Sequence, residues 1–93
     1  MQERIDALTQ WQRADDALHA RFLTGSFVAG VAFINGIADA AEAAGHHPDV
    51  DLRYPHVDIT LTTHDAGSIT DKDIAMAEEI STIAEAQGID AES

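Results

Sequence analysis

From His56 to Thr63 the chain reads HVDITLTT, with Val57, Ile59 and Leu61 alternating with Asp58, Thr60 and Thr62. Successive strand side chains point to opposite faces, so this segment predicts a strand with one apolar and one polar face. Val50 to Tyr54 is also strand-like, and the tight connection at Tyr54 and Pro55 favours an antiparallel pair. From Trp11 to Leu23 a second hairpin is expected, with Trp11, Arg13 and Asp15, then Leu18, Ala20 and Phe22, and a turn at Asp15 and Asp16.

Three helices fill the remaining text. Glu3 to Leu8 predicts a short one with an apolar edge at Ile5 and Leu8. After the N-cap Ser26, the residues Phe27, Val31, Ile34, Ala38 and Ala41 fall on one face, widened by Val28, Phe33 and Ile37, with Gly45 as the stop. This stripe is expected to be core, and its small residues permit close approach by a strand or helix. Thr70 then caps a last helix carrying Ile74, Ala77, Ile80 and Ala84, ended by Gly88. Helix, two strands, helix, two strands, helix implies a two-layer α+β fold: a four-stranded antiparallel sheet with helices on one face, as a single domain over residues 1–93.

A chain of 93 residues buries a modest core, so self-association is expected. Seventeen acidic against five basic side chains, a formal charge of −12, disfavour nucleic acid and anionic membrane surfaces as partners. With no cysteine, thiolate chemistry is excluded and chemistry falls to His, carboxylates or hydroxyls. No signal peptide is apparent and no apolar run is expected to reach membrane-spanning length, which makes the cytoplasm the default location.

The polar residues of interest cluster around EAAGHHPDV. In a regular strand or helix, adjacent His46 and His47 would diverge, so they need a corner; Gly45 relaxes the backbone before them and Pro48 biases His47 toward extended geometry. Even spacing from His56 places His64 on the polar, non-helix face of its strand, and a tight hairpin returns that strand end beside His47. Three imidazoles then meet. Asp73 lies in Thr70-Asp71-Lys72-Asp73, where it acts as a cap, orients an imidazole or holds a ligand group at the positive helix end. Glu42 is either solvated or supporting, while His19 and His56 are taken as incidental.

Such a cluster suits metal-free proton transfer, one imidazolium donating to a leaving hydroxyl while another imidazole accepts a proton. Three His and a carboxylate also make a zinc set, but adjacent histidines are poorly spaced for one ion and H-x-x-x-H and H-E-x-x-H are absent.

Glu42, three residues, His46-His47-Pro48, five residues, Tyr54, nine residues, His64, eight residues and Asp73 resembles the pterin-4a-carbinolamine dehydratase signature, and the likeness extends over about residues 11–85. The resemblance implies a cytoplasmic homodimer or homotetramer of this fold, a lyase of tetrahydrobiopterin recycling that dehydrates 4a-hydroxytetrahydropterin to quinonoid dihydropterin after an aromatic amino acid hydroxylase. It implies no metal and no cofactor. It gives His46, His47, His64 and Asp73 as catalytic positions, and Glu42, Pro48, Tyr54 and Thr63 as substrate-binding or supporting ones. The other function it admits is a protein-interaction module, since some animal relatives serve as dimerisation cofactors. Two residues depart from the pattern: Val50 stands where an aromatic is usual, and Ser68 where glycine is common. Were Ser68 at positive φ, serine would cost about 1 kcal/mol.

Overall fold

The computed structural model describes residues 1–92. In chain order the elements are α1 (Gln2–Asp6), β1 (Gln12–Ala14), β2 (Ala17–Leu23), α2 (Phe27–Ala44), β3 (Asp49–Leu52), β4 (His56–Leu61), α3 (Asp71–Ala86) and β5 (Asp90–Ala91). The antiparallel sheet runs β1-β2-β4-β3, and β5 adds to the free half of β2 through Phe22↔Ala91 and Leu23↔Asp90. The α+β architecture is the one expected, with helices on one face of an open sheet. β5 is an addition: two residues are too few to show periodicity.

Local chemistry explains the boundaries. Asp15 and Asp16 both take positive φ, as a two-residue type I′ hairpin turn requires, and they join β1 to β2. The Thr62 hydroxyl donates to the Asp16 carbonyl at 2.9 Å, tying that turn to the exit of β4. At the start of α2 the Ser26 hydroxyl accepts from the Ala29 N–H. Gly45 ends the helix at φ 64°, and the His46 N–H reaches back to the Ala41 carbonyl, the long bond of a Schellman-type stop. β3 and β4 turn through Tyr54 and a cis Pro55, with Arg53 and His56 exchanging backbone hydrogen bonds.

One face of the sheet carries the core. Leu18, Ala20 and Phe22 of β2 lie opposite Leu61, Ile59 and Val57 of β4 and pack beneath Phe33, Ile37, Ile74, Ala77 and Ile80. Phe22 meets Phe33 edge-to-face at 5.1 Å. The facing of α2 differs from the predicted stripe. Gly30, Phe33, Ile37 and Ala41 point inward, whereas Phe27, Val28 and Val31 are exposed. Gly30 fits this facing: a Cβ there would lie 2.6 Å from Leu52 Cδ1, so the absence of a side chain lets the helix come this close to β3. The 18 residues of α2 do reach a length and apolarity compatible with a membrane span, contrary to the expectation, yet this helix packs on α3 and the sheet.

Candidate active site

The sequence makes a corner where α2 stops, β4 ends and α3 begins. Gly45 lets the backbone turn out of the helix, and His46 swings inward against α3. Its side chain is 13% exposed, and its Nε2 lies 2.6 Å from Oδ1 of Asp73. Asp73 is fully buried, yet each of its oxygens is satisfied. Oδ2 accepts from the Thr63 hydroxyl at 2.6 Å and the Thr70 N–H at 2.9 Å, leaving Oδ1 for the imidazole. Capping the helix and orienting a histidine are therefore not alternatives, because the carboxylate does one with each oxygen.

Burial alone would raise the Asp73 pKa. Hydrogen bonds from Thr63, His46 and the Thr70 N–H, with the adjacent imidazole charge, outweigh it and hold the carboxyl below its ordinary value. The Thr63 and Thr70 hydroxyls also contact one another at 2.7 Å, so the donors to the carboxylate other than the imidazole are neutral. With Nε2 turned to Asp73, a neutral His46 carries its proton there and leaves the Nδ1 lone pair free.

The other two imidazoles are more exposed. His47 is 61% exposed in its side chain and pairs with Glu42, one turn back in α2. β4 ends at Leu61 rather than running to residue 63, so His64 lies in the following turn and not on the polar face of the strand. Thr63 leaves the sheet ladder for an isolated bridge with Ser68, which directs the chain around the corner. His46, His47 and His64 nonetheless line one open cavity of about 320 Å³, with Thr63, Asp65 and Lys72 also on its wall. No group of three His, Asp or Glu side chains among the described residues has metal-binding proximity.

Tyr54 lies elsewhere, in the turn at the opposite end of the β3–β4 hairpin, and is well exposed. Pro48 and Val50 flank His47 on the α2 side, where a hollow of about 180 Å³ is walled by Ile34, Ile37 and Ala38. Ser68 carries no strain, since positive φ falls on Gly67 instead. The sequence marks Thr70 only as a helix cap and gives Lys72 no role of its own. The signal for Lys72 was available, because it is the single lysine of the chain.

The sequence pattern of the family described as pterin 4 alpha carbinolamine dehydratase matches residues 1–83. A protein of Roseiflexus sp. (strain RS-1), provisionally named pterin-4-alpha-carbinolamine dehydratase, is 45% identical over 83 residues, 89% of each chain. One of Thermomicrobium roseum (strain ATCC 27502 / DSM 5159 / P-2), named in the same way, is 45% identical over 80 residues, 86% of each. A Brucella melitensis structure described as a transcriptional coactivator/pterin dehydratase superposes with a TM-score of 0.84 at 36% identity, covering 90% of this chain and 92% of its own. A pterin dehydratase-like protein identified as a RuBisCO assembly factor in the alpha-carboxysome gives a TM-score of 0.65 at 27% identity, covering 80% and 86%. On the matched length, the level of identity and the shared fold, this chain belongs to the pterin-4a-carbinolamine dehydratase family.

Proposed function

We propose that the protein eliminates water from a 4a-hydroxytetrahydropterin, giving the quinonoid dihydropterin, by imidazole acid/base catalysis in the His46 corner. The C4a hydroxyl leaves as water once protonated, the N5 lone pair forms the C4a=N5 bond, and N5 gives up its proton. One proton is donated and one removed, so the imidazoles end as a set in the protonation state in which they began. His46 is the base: Nδ1 is its free nitrogen, and the imidazolium formed there pairs with Asp73. His47 and His64, open to solvent, serve as the acid and recover protons readily.

The observation that carries this reading is the Nε2 contact of His46 with a buried carboxylate whose other donors, the Thr63 hydroxyl and the Thr70 N–H, are neutral. The decay of freshly generated 4a-carbinolamine, followed by ultraviolet absorbance, tests it. Acceleration over buffer that falls in His47→Ala and His64→Ala is expected; no acceleration, or variants as fast as wild type, defeats the assignment. Self-association and a cytoplasmic setting accompany this reading.

A second reading, a protein-interaction module, is favoured by the exposed Phe27, Val28 and Val31 on α2, apolar side chains outside the corner. Recovery of a stoichiometric partner together with absent turnover would select it.

A further inference from the structure

Lys72 stands out by what it lacks. Each arginine donates a side-chain hydrogen bond: Arg4 to Glu78, Arg13 to Gln2, Arg21 to Asp58 and Arg53 to Asp51. Lys72 alone among the basic side chains has neither a hydrogen bond nor an ion pair among the described residues, in a chain with 17 acidic groups. Its sequence neighbours are already engaged: Asp71 lies 3.5 Å from Arg4, and Asp73 is enclosed by Thr63, Thr70 and His46. Its place is electrostatically poor as well, because Lys72 follows Thr70 and Asp71 in the first turn of α3, where the positive helix end disfavours cations.

An ammonium without a protein partner is free to meet a ligand, and here its place is specific. Lys72 and His46 together line two adjoining cavities: the imidazole corner of about 320 Å³ and a groove of about 470 Å³ between α2 and α3, bounded by Ala40, Ala44, Met76 and Glu79. Among the described residues Lys72 is the one fixed cation on either wall, while Asp65 lines the first cavity and Glu79 the second with negative charge.

We infer that Lys72 is the substrate-selecting residue of the corner, its ammonium taking an anionic group on the pterin's C6 substituent. This rests on the reading of the corner as a pterin site. Without the ammonium, Asp65, Glu79 and the overall negative charge would repel such a substituent; with it, the anion has a single partner at the junction of the two cavities. Pterins bearing a carboxylate at C6 are therefore preferred over those with a neutral alkyl group.

The test compares wild type, Lys72→Met and Lys72→Arg on two ligands, pterin-6-carboxylate and 6-methylpterin, by quenching of pterin fluorescence on binding. The Met variant should weaken carboxylate binding about fivefold, the size of a solvent-accessible ion pair, and leave 6-methylpterin unchanged. The Arg variant should restore affinity. Added salt should weaken carboxylate binding to wild type but not to the Met variant. The same pattern is expected in KM, with kcat unaltered, for the corresponding 4a-carbinolamines. Equal losses for both ligands, no loss, or a wild type that binds neither pterin overturns the inference. A wild type that binds with this selectivity but does not accelerate carbinolamine decay removes the dehydratase reading and leaves the role of Lys72 standing.

Discussion

Asp58, on the open face of the sheet, and Asp73, in the corner, each have an imidazole near them, and their partners make them opposites. Asp58 is met by the Arg21 guanidinium at 2.7 Å and 3.1 Å, with His56 at 3.6 Å as an onlooker. Its carboxyl is held below the ordinary range mainly by that arginine hydrogen bond. Nearby, His19 bridges the Thr60 hydroxyl and the Ala14 carbonyl, both ring nitrogens taken. Asp73 has no guanidinium. Its negative charge is met instead by hydroxyl, amide and imidazole donors. Histidines beside aspartates are common to both regions; among the described residues a buried carboxylate without a guanidinium or ammonium partner is found only in the corner.

Substitutions that equalise the two regions should abolish what separates them. The largest effect is expected from Asp73→Asn, which keeps the shape but removes the charge: carbinolamine dehydration should fall about 10²- to 10⁴-fold, as for loss of acid/base function, with the fold retained by circular dichroism. Asp73→Ala goes further, leaving the Thr63 hydroxyl, the Thr70 N–H and His46 Nε2 without their acceptor. It should lower unfolding free energy in urea by about 3 kcal/mol. A cost under about 0.5 kcal/mol would show that water replaces the carboxylate.

The pH dependence sharpens the same contrast. The folded pKa of Asp73 lies below its unfolded value of about 3.9, so the native state binds fewer protons in that range and loses stability as pH falls. Its contribution is complete above about pH 4 and disappears as pH drops through the folded pKa; urea midpoints of wild type and Asp73→Asn should therefore converge toward low pH. Smaller again, Val50→Trp should fill the hollow beside His47 and change unfolding free energy by less than about 1.5 kcal/mol, with any kinetic effect confined to KM. Last, His19→Ala and His56→Ala should leave dehydration within about twofold of wild type; a loss near that of His46→Ala would place chemistry on the open face and erase the distinction.

Much of the frame was legible because turn and cap chemistry is local. Ser26, Gly45 and Gly88 mark helix ends, Asp15-Asp16 marks a hairpin, and the alternation of β4 fixes which face is apolar. The facing of α2 was not, since Phe27, Val31 and Ile34 compete with Phe33 and Ile37 for the core, and the choice rests on long-range packing, including the space that Gly30 leaves for Leu52. Likewise the corner's histidines could be brought together from the hairpin's geometry, whereas their unequal burial could not. Alternation carried His64 onto a strand face because nothing in the text marks where Thr63 leaves the ladder for Ser68. Tyr54 entered through its spacing in the motif, and spacing carries no direction: the chain reverses there, a strand length from the imidazoles.

The bond from the Thr62 hydroxyl to the Asp16 carbonyl gives the β1–β2 hairpin a task beyond its own turn. It is a strut. Two residues before His64, it braces the segment on which that imidazole rides, so the N-terminal hairpin holds the backbone of a corner to which it contributes no side chain. Grafting a longer loop at Asp15-Asp16 would remove that support from the His64 segment, across 46 residues of sequence.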